Sequence, residues 1–378
     1  MISRRNFIKT TSASLALAGF PIQGQTKELA NGKVVVIILE GGLDGLAAVP
    51  PIGDKYLLKQ RKQLVSDKTI KLNPFFAIHP NLGGFANMLN NNQAFVVHAT
   101  SFPYIKRSHF EGQNVIESGD VIPFNTKSGW LGRSLELAKI PGQALSIDMP
   151  LLIRGTSKLD NYYPVDWKDS TSNIIETSKL LSTYYKQDIK NSFNKINTKY
   201  KDPPAFFARD AISLAKHAGK ELSLPSGPSA AVIRVNEFDT HAQQGVDNGK
   251  VSDQLQELDN IFIALKQSLQ STWDNTIILT LTEFGRTVKM NGSSGTDHGY
   301  GTASLLAGGL LNKSGILTQW PGLSNNDLFE GRDLMATIDF RSICAACIEK
   351  AYGLDHDIIA DKVFFEPNLT RHYDKLFG

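Results

Sequence analysis

The chain is poor in cysteine: its 378 residues hold 2, Cys344 and Cys347. Two thiols exclude a four-thiolate zinc site and a dense disulfide framework. They lie in IDFRSICAACIEKAY, which reads as a helix. A bridge inside a helix is strained, so both are expected as small buried residues. Charge of one sign is lacking too. The balance of 40 Lys and Arg against 37 Asp and Glu leaves a net charge of +3 and gives no reason to expect nucleic acid. Long apolar runs are absent, so no segment is expected to span a bilayer stably. What remains, 41% hydrophobic and 20% charged residues, suits a folded chain with a substantial core.

The N-terminus carries a specific signal. Ser3-Arg4-Arg5-Asn6-Phe7-Ile8-Lys9 reads as a twin-arginine export motif, followed by the mildly apolar run Ser12–Phe20. Ala16-Leu17-Ala18 offers a small-x-small cleavage site. Residues 1–28 are therefore expected as a signal peptide that engages the twin-arginine export machinery, with a periplasmic or secreted destination. That machinery carries folded proteins, which suits a metal or cofactor inserted before export. Residues 29–378 are expected as a single domain, since no internal repeat or linker divides them.

Along that stretch, apolar β-branched runs alternate with helical patterns. Lys33–Leu39, Ala94–His98, Ala144–Met149, Leu151–Gly155, Ala230–Val235, Ile277–Leu281 and Ala303–Gly309 read as strands, and Gly315–Trp320 as a hairpin or edge. Helices are expected over Lys55–Leu64, Leu82–Leu89, from His109, over Gly129–Lys139, Val251–Thr272 and Asp333–Tyr352. The Lys-, Ser-, Asn- and Tyr-rich stretch at about 161–224 reads as a helical insertion or cap. This alternation predicts an α/β fold with a mostly parallel sheet.

Charged residues gather where the strands stop. GGLDG with Asp44 follows the first strand, and Ser108-His109 opens a helix after the second. Asp239 and His241 follow Ala230–Val235, and Glu283 and Arg286 follow Ile277–Leu281, with Asp297 and His298 one loop later. Strand C-termini are where open α/β sheets bind ligands. Carboxylates and imidazoles are the donors for zinc and similar divalent ions. Plainer readings exist for each residue: Asp44 bonds its own turn, Ser108 and Glu111 form a capping box, and His79 is a structural loop histidine.

The export motif, GGLDGL, RSHFEGQ, FDTHAQQG, TEFGRTVKMNG and GTDHGYG occur here in that order. Together they resemble the uncharacterised domain-of-unknown-function family fifteen-oh-one, placed within the alkaline phosphatase and sulfatase-like superfamily. The resemblance implies an alkaline-phosphatase-like three-layer sandwich with helices on both faces of the sheet. It also implies a divalent metal site (Zn, Mn, Ca or Mg). Asp44, Asp239, His241, Glu283, Asp297 and His298 would be the ligand set, and Ser108 the nucleophile. His109 or Arg286 would help to hold the anion. This chain departs from the superfamily pattern in two places. Asp239 and His241 are spaced by one residue rather than three, and Phe284 stands where an imidazole would follow the carboxylate.

The expected function is an exported metal-dependent hydrolase of a phosphate or sulfate ester, in a small molecule or a polymer, using a serine nucleophile. The alternative is a non-catalytic periplasmic binding or assembly protein that keeps the fold with a degraded metal site, as Phe284 suggests.

Overall fold

A computed structural model describes residues 32–144, 149–161 and 210–378. The expected signal peptide, most of the expected insertion and most of the Ala144–Met149 strand lie outside the described residues.

Eleven strands are described. β1 (Lys33–Leu39), β4 (Ala94–Ser101), β5 (Gly142–Ala144), β6 (Leu159–Asn161), β7 (Ala230–Val235), β8 (Thr276–Leu281), β9 (Thr302–Ala307), β10 (Gly315–Leu317) and β11 (Ile338–Asp339) share one sheet. β2 (Ile70–Lys71) and β3 (Ala77–Ile78) form a small separate ladder. The main order is β10-β4-β9-β8-β1-β7-β5-β6, with β11 also on β4. Only the pairings of β9 are antiparallel within this sheet. The fold is thus α/β with a mostly parallel sheet.

β1 shows why its run has no polar alternation. Val34, Val36 and Ile38 face one core, while Val35, Ile37 and Leu39 face another. A strand covered on both sides needs apolar residues at every position. The first face is covered by α4 (His109–Ser118), α5 (Trp130–Ala138) and α8 (Phe340–Tyr352). The second is covered by α3 (Gly83–Asn90), α6 (Ala211–Ser223) and α7 (Lys250–Leu269). Two short helices, α1 (Gly45–Ala48) and α2 (Leu57–Arg61), follow β1. α6 is the described part of the expected insertion, and it packs into the core through Leu214, Ala215, Ala218 and Leu222. Among the described residues, no helix is long and apolar enough to cross a membrane.

Three local expectations need correction. Leu151–Gly155 is a 3₁₀ turn at Leu151–Ile153, not a strand. Pro150 starts it, and the Leu152 N–H donates to the buried Glu117 carboxylate at 2.9 Å instead of to a neighbouring strand. The last long helix starts at Phe340 rather than Asp333, because Asp339 caps it by accepting from the Arg341 N–H. Ser108 does start α4, but its side chain makes no cap bond. The Glu111 carboxylate, its expected partner in a capping box, instead receives the Tyr104 hydroxyl at 2.9 Å and lies 3.5 Å from Lys106 Nζ. Cys344 and Cys347 are free and fully buried within α8, as expected.

Candidate metal centre

Parallel pairing places the C-terminal ends of β4, β8, β1 and β7 along one edge of the sheet. Each end releases a loop that carries one of the candidate side chains. β4 leads through Arg107 and Ser108 to His109 at the start of α4. β7 leads to Asp239 and His241, and β8 to Glu283 and Arg286, with His298 in the loop before β9.

Three imidazoles and one carboxylate converge there. His241 Nε2 lies 2.9 Å from His298 Nε2 and 3.1 Å from Asp239 Oδ1. His298 Nε2 is 3.2 Å from Asp239 Oδ1, and His109 Nε2 is 3.5 Å from Asp239 Oδ2. His109, Asp239 and His298 each offer a donor atom within 4.8 Å of the others.

The other ring nitrogens decide what this cluster can hold. His109 Nδ1 is 2.8 Å from Glu283 Oε1, His298 Nδ1 is 3.0 Å from the Arg107 carbonyl, and His241 Nδ1 is 3.3 Å from Asp297 Oδ1. Each Nδ1 therefore faces an oxygen that can only accept, so each carries the ring proton when the imidazole is neutral. Each Nε2 then presents a lone pair toward Asp239, a carboxylate that also only accepts. Acceptors packed this closely repel unless a metal ion, or a proton on one of the rings, sits among them. Metal-bound histidines are held in this way, with the second nitrogen donating to a carboxylate or carbonyl.

The spacings also suit a metal. Ligands about 2.0–2.1 Å from zinc in a tetrahedron lie about 3.3 Å from one another. Asp239 Oδ1 and the Nε2 atoms of His241 and His298 lie 2.9, 3.1 and 3.2 Å apart, close to that value, and His109 Nε2 is 3.5 Å from the other carboxylate oxygen. The donors of His109, Asp239 and His298 therefore suit a divalent ion, with His241 Nε2 beside two of them, at His298 and Asp239.

The surroundings favour that state at His298 and Asp239 and oppose it at His109, where they favour the protonated ring. Hydrogen bonding to Glu283 raises the His109 pKa against the opposing effect of burial. Burial lowers that of His298, although the Arg107 carbonyl works the other way. Burial disfavours the Asp239 charge, but Arg286 outweighs it and holds the carboxyl below its ordinary range, with His241 and His298 adding to the effect. Asp297 is likewise held low, first by the Asn291 amide. Arg107 (φ 60°), Glu237 (φ 76°) and Gln243 (φ 46°) on these loops adopt left-handed conformations without being glycine, as do eight other described residues.

Of the residues expected at the site, Asp239, His241 and His298 come together directly, with Asp297 behind His241. His109, expected to hold an anion, instead points its Nε2 at Asp239. Glu283 is fully buried and accepts from His109 and from the Gly41 N–H at 2.9 Å, so it stands behind the cluster rather than within it. Arg286 is also buried, and it bonds Thr296, Gly41 and Asp239. Most of its donors therefore serve the frame. Asp44 caps α1 through the Ala47 N–H and accepts from Arg61 and Gln244, each at 2.6 Å. Ser108 is half-buried at the start of α4, adjacent to His109 in the chain, and its N–H donates to the Tyr104 hydroxyl at 3.2 Å. His79 is buried and bonds the Val246 carbonyl, a structural role.

The sequence pattern pointed to His109 but not to this role. Phe284 explains why. Its ring stacks on His298 with centroids 4.5 Å apart and lies 5.0 Å from His109. The aromatic residue following Glu283 is thus a wall against which imidazoles from two other loops are packed.

Residues 222–363 match a family described as protein of unknown function (DUF1501). That stretch includes Asp239, His241, Glu283, Arg286 and His298 but not Ser108 or His109. No curated protein matches the chain. Similar solved structures include the C-terminal periplasmic domain of EcEptC from Escherichia coli in complex with Zn, at 11% identity over 74% of this chain and 74% of that one, with a TM-score of 0.37. The lipoteichoic acid synthase LtaP from Listeria monocytogenes is 9% identical over 95% of this chain and 81% of that one, with a TM-score of 0.39. A protein in the alkaline phosphatase superfamily from Vibrio parahaemolyticus is 12% identical over 74% of this chain, with a TM-score of 0.36. The chain spans 60% of that Vibrio protein, and 66% of the Ps i-CgsB chain in its complex with k-i-k-neocarrahexaose. Likenesses this faint carry no argument about the site, whose chemistry rests on its own geometry.

Proposed function

We propose that the protein is an exported, metal-dependent hydrolase of a phosphate or sulfate ester, with Ser108 as the attacking hydroxyl. One observation carries this reading: the lone pairs of His109, His241 and His298 meet the Asp239 carboxylate at the edge of the sheet. A divalent ion bound there would polarise the ester and offset the charge that develops on its oxygens. The chain's own residues do the rest. Glu283, the Arg107 carbonyl and Asp297 fix the three ring orientations. The start of α4 presents free backbone N–H groups, which favour an anion beside Ser108. The Ser108 side chain makes no cap bond to the helix, and its hydroxyl lies in hydrogen-bonding reach of the Tyr104 hydroxyl. Export rests on the Arg4-Arg5 motif.

The non-catalytic alternative rests on the imidazole missing at Phe284. His109 packs against that ring and turns its own imidazole toward Asp239, which supports the catalytic reading. The test is turnover of aryl phosphate, phosphodiester and aryl sulfate by metal-loaded protein and by Ser108→Ala. The proposal expects activity toward one ester class, with Ser108→Ala retaining the metal and losing turnover by at least about a hundredfold. Unchanged activity in the variant would remove Ser108 from this role, and no turnover of any ester class would leave the alternative standing.

A further inference from the structure

We infer that Asp44, at the end of the first strand, positions Asp239 from a distance, through a buried hydrogen-bonded relay that begins at Arg61. The inference rests on Asp239 being a metal ligand, as proposed above. The relay can be followed atom by atom. Arg61 Nη2 donates to Asp44 Oδ2 at 2.6 Å, and Gln244 Nε2 donates to the same oxygen at 2.6 Å. Gln244 Oε1 accepts from Thr296 Oγ1 at 2.7 Å. Thr296 Oγ1 accepts in turn from Arg286 Nε at 3.1 Å, and Arg286 Nη1 donates to Asp239 Oδ1 at 2.7 Å.

Three features suit this chain of bonds to a positioning role. First, its interior is buried. Asp44 is 4% exposed, Arg286 2%, and Arg61, Gln244 and Thr296 0%. Hydrogen bonds there are stronger and less free to rearrange than in water. Second, it crosses the molecule between separate segments: the turn after β1, α2, the loop after β7 and the loop between β8 and β9. Its bonds fix these loops relative to one another. Third, it leads outward from buried groups to a carboxylate that is open to solvent. Arg286 also donates to the Gly41 carbonyl at 3.0 Å, so the guanidinium cannot swing without breaking the frame. Asp239 Oδ1 is pinned, and Oδ2 is left facing His109.

Arg61 supports the inference from the other end. Its Nε and Nη1 have no hydrogen-bond partner among the described residues. A buried guanidinium with so few bonds is costly, and the pairing with Asp44 is what offsets it. Two apolar residues could fill this volume without that cost. The charged pair makes sense where it holds Gln244 in one orientation, with its amide toward Asp44 and its carbonyl toward Thr296.

The test is zinc affinity of the full chain, measured by competition with a chromophoric chelator, with thermal melting followed in parallel. Thr296→Val keeps the volume and cuts the relay between Gln244 and Arg286, whereas Thr296→Ser keeps the hydroxyl. We expect Thr296→Val to bind zinc about tenfold more weakly and Thr296→Ser to bind it as the wild type does. Should Thr296→Val fail to fold, Asp44→Asn probes the same relay at its other end and is expected to weaken zinc by a similar factor. A lower melting temperature with unchanged zinc affinity would overturn the inference and leave the metal centre intact. A wild-type protein that takes up no zinc would overturn both.

Discussion

His109 shows how a single contact fixes the chemistry of a residue. Glu283 Oε1 lies 2.8 Å from Nδ1 and accepts its proton, so Nε2 is the nitrogen left to bind. Glu283→Gln keeps the shape but removes the charge that makes the imidazole a better ligand. It is expected to weaken metal binding by about ten- to a hundredfold without abolishing it. Complete loss of metal in that variant would instead make Glu283 a ligand, as the sequence pattern suggested. His98 makes a separate prediction. Its Nε2 donates to the Val49 carbonyl at 2.9 Å and its Nδ1 accepts from the Ala99 N–H at 2.7 Å, so the ring has no place for a second proton. Burial pushes its pKa down to about 4. An unfolded histidine titrates near about 6.5. Between these values the unfolded chain takes up a proton that the folded chain refuses, so the contribution of His98 to stability falls as pH drops from 6.5 toward 4. The loss at about pH 5 is about 2 kcal/mol. Urea melts of the wild type and His98→Gln at neutral and mildly acid pH check this: the variant is expected to lose less stability on acidification, and equal losses would contradict the assignment.

At the level of elements, the sheet was legible and the loops were not. β1, β4, β7 and β8 announce themselves because a strand covered on both faces must be apolar throughout, and such a run has few other fates. The antiparallel direction of β9 carries no such mark, since Thr302–Ala307 reads the same either way. The charged strand ends marked the edge of the sheet where the site lies. Their roles depend on partners distant in the chain, so Glu283, Asp44 and Arg286 each proved to be engaged behind the donor cluster. Ser108 and Glu111 have the spacing of a capping box, yet Tyr104 takes the carboxylate first. Gly41 shows how tightly these loops are fitted. Its φ is +119°, and a Cβ there would lie 2.3 Å from the Asp239 nitrogen. Gly41→Ala is therefore expected to cost more than about 1 kcal/mol and to weaken metal binding by displacing Asp239; denaturant melts and metal titration measure the two effects. In α8, burial raises the Cys347 thiol and holds Cys344 well above its ordinary value. Neither is expected to react with a thiol reagent until the protein is unfolded, when both should react within the mixing time; rapid labelling of the native protein would contradict their burial.

Across the whole molecule, the donor cluster draws on loops from three parts of one sheet edge: after β4, after β7 and before β9. An ion bound by all three would tie them together and would bind the folded chain far better than the unfolded one. Free metal at a hundred times its dissociation constant adds about 2.7 kcal/mol of stability. Chelation is accordingly expected to lower the melting temperature, and re-addition of metal to restore it. The most direct test of the centre is the metal content of protein purified without chelator and re-equilibrated with zinc, beside that of His109→Ala and His298→Ala. The account predicts one tightly held divalent ion per wild-type chain, with binding to both folded variants weakened by at least about a hundredfold. A folded wild-type protein that holds no divalent metal, or variants that hold it as tightly as the wild type, would contradict it.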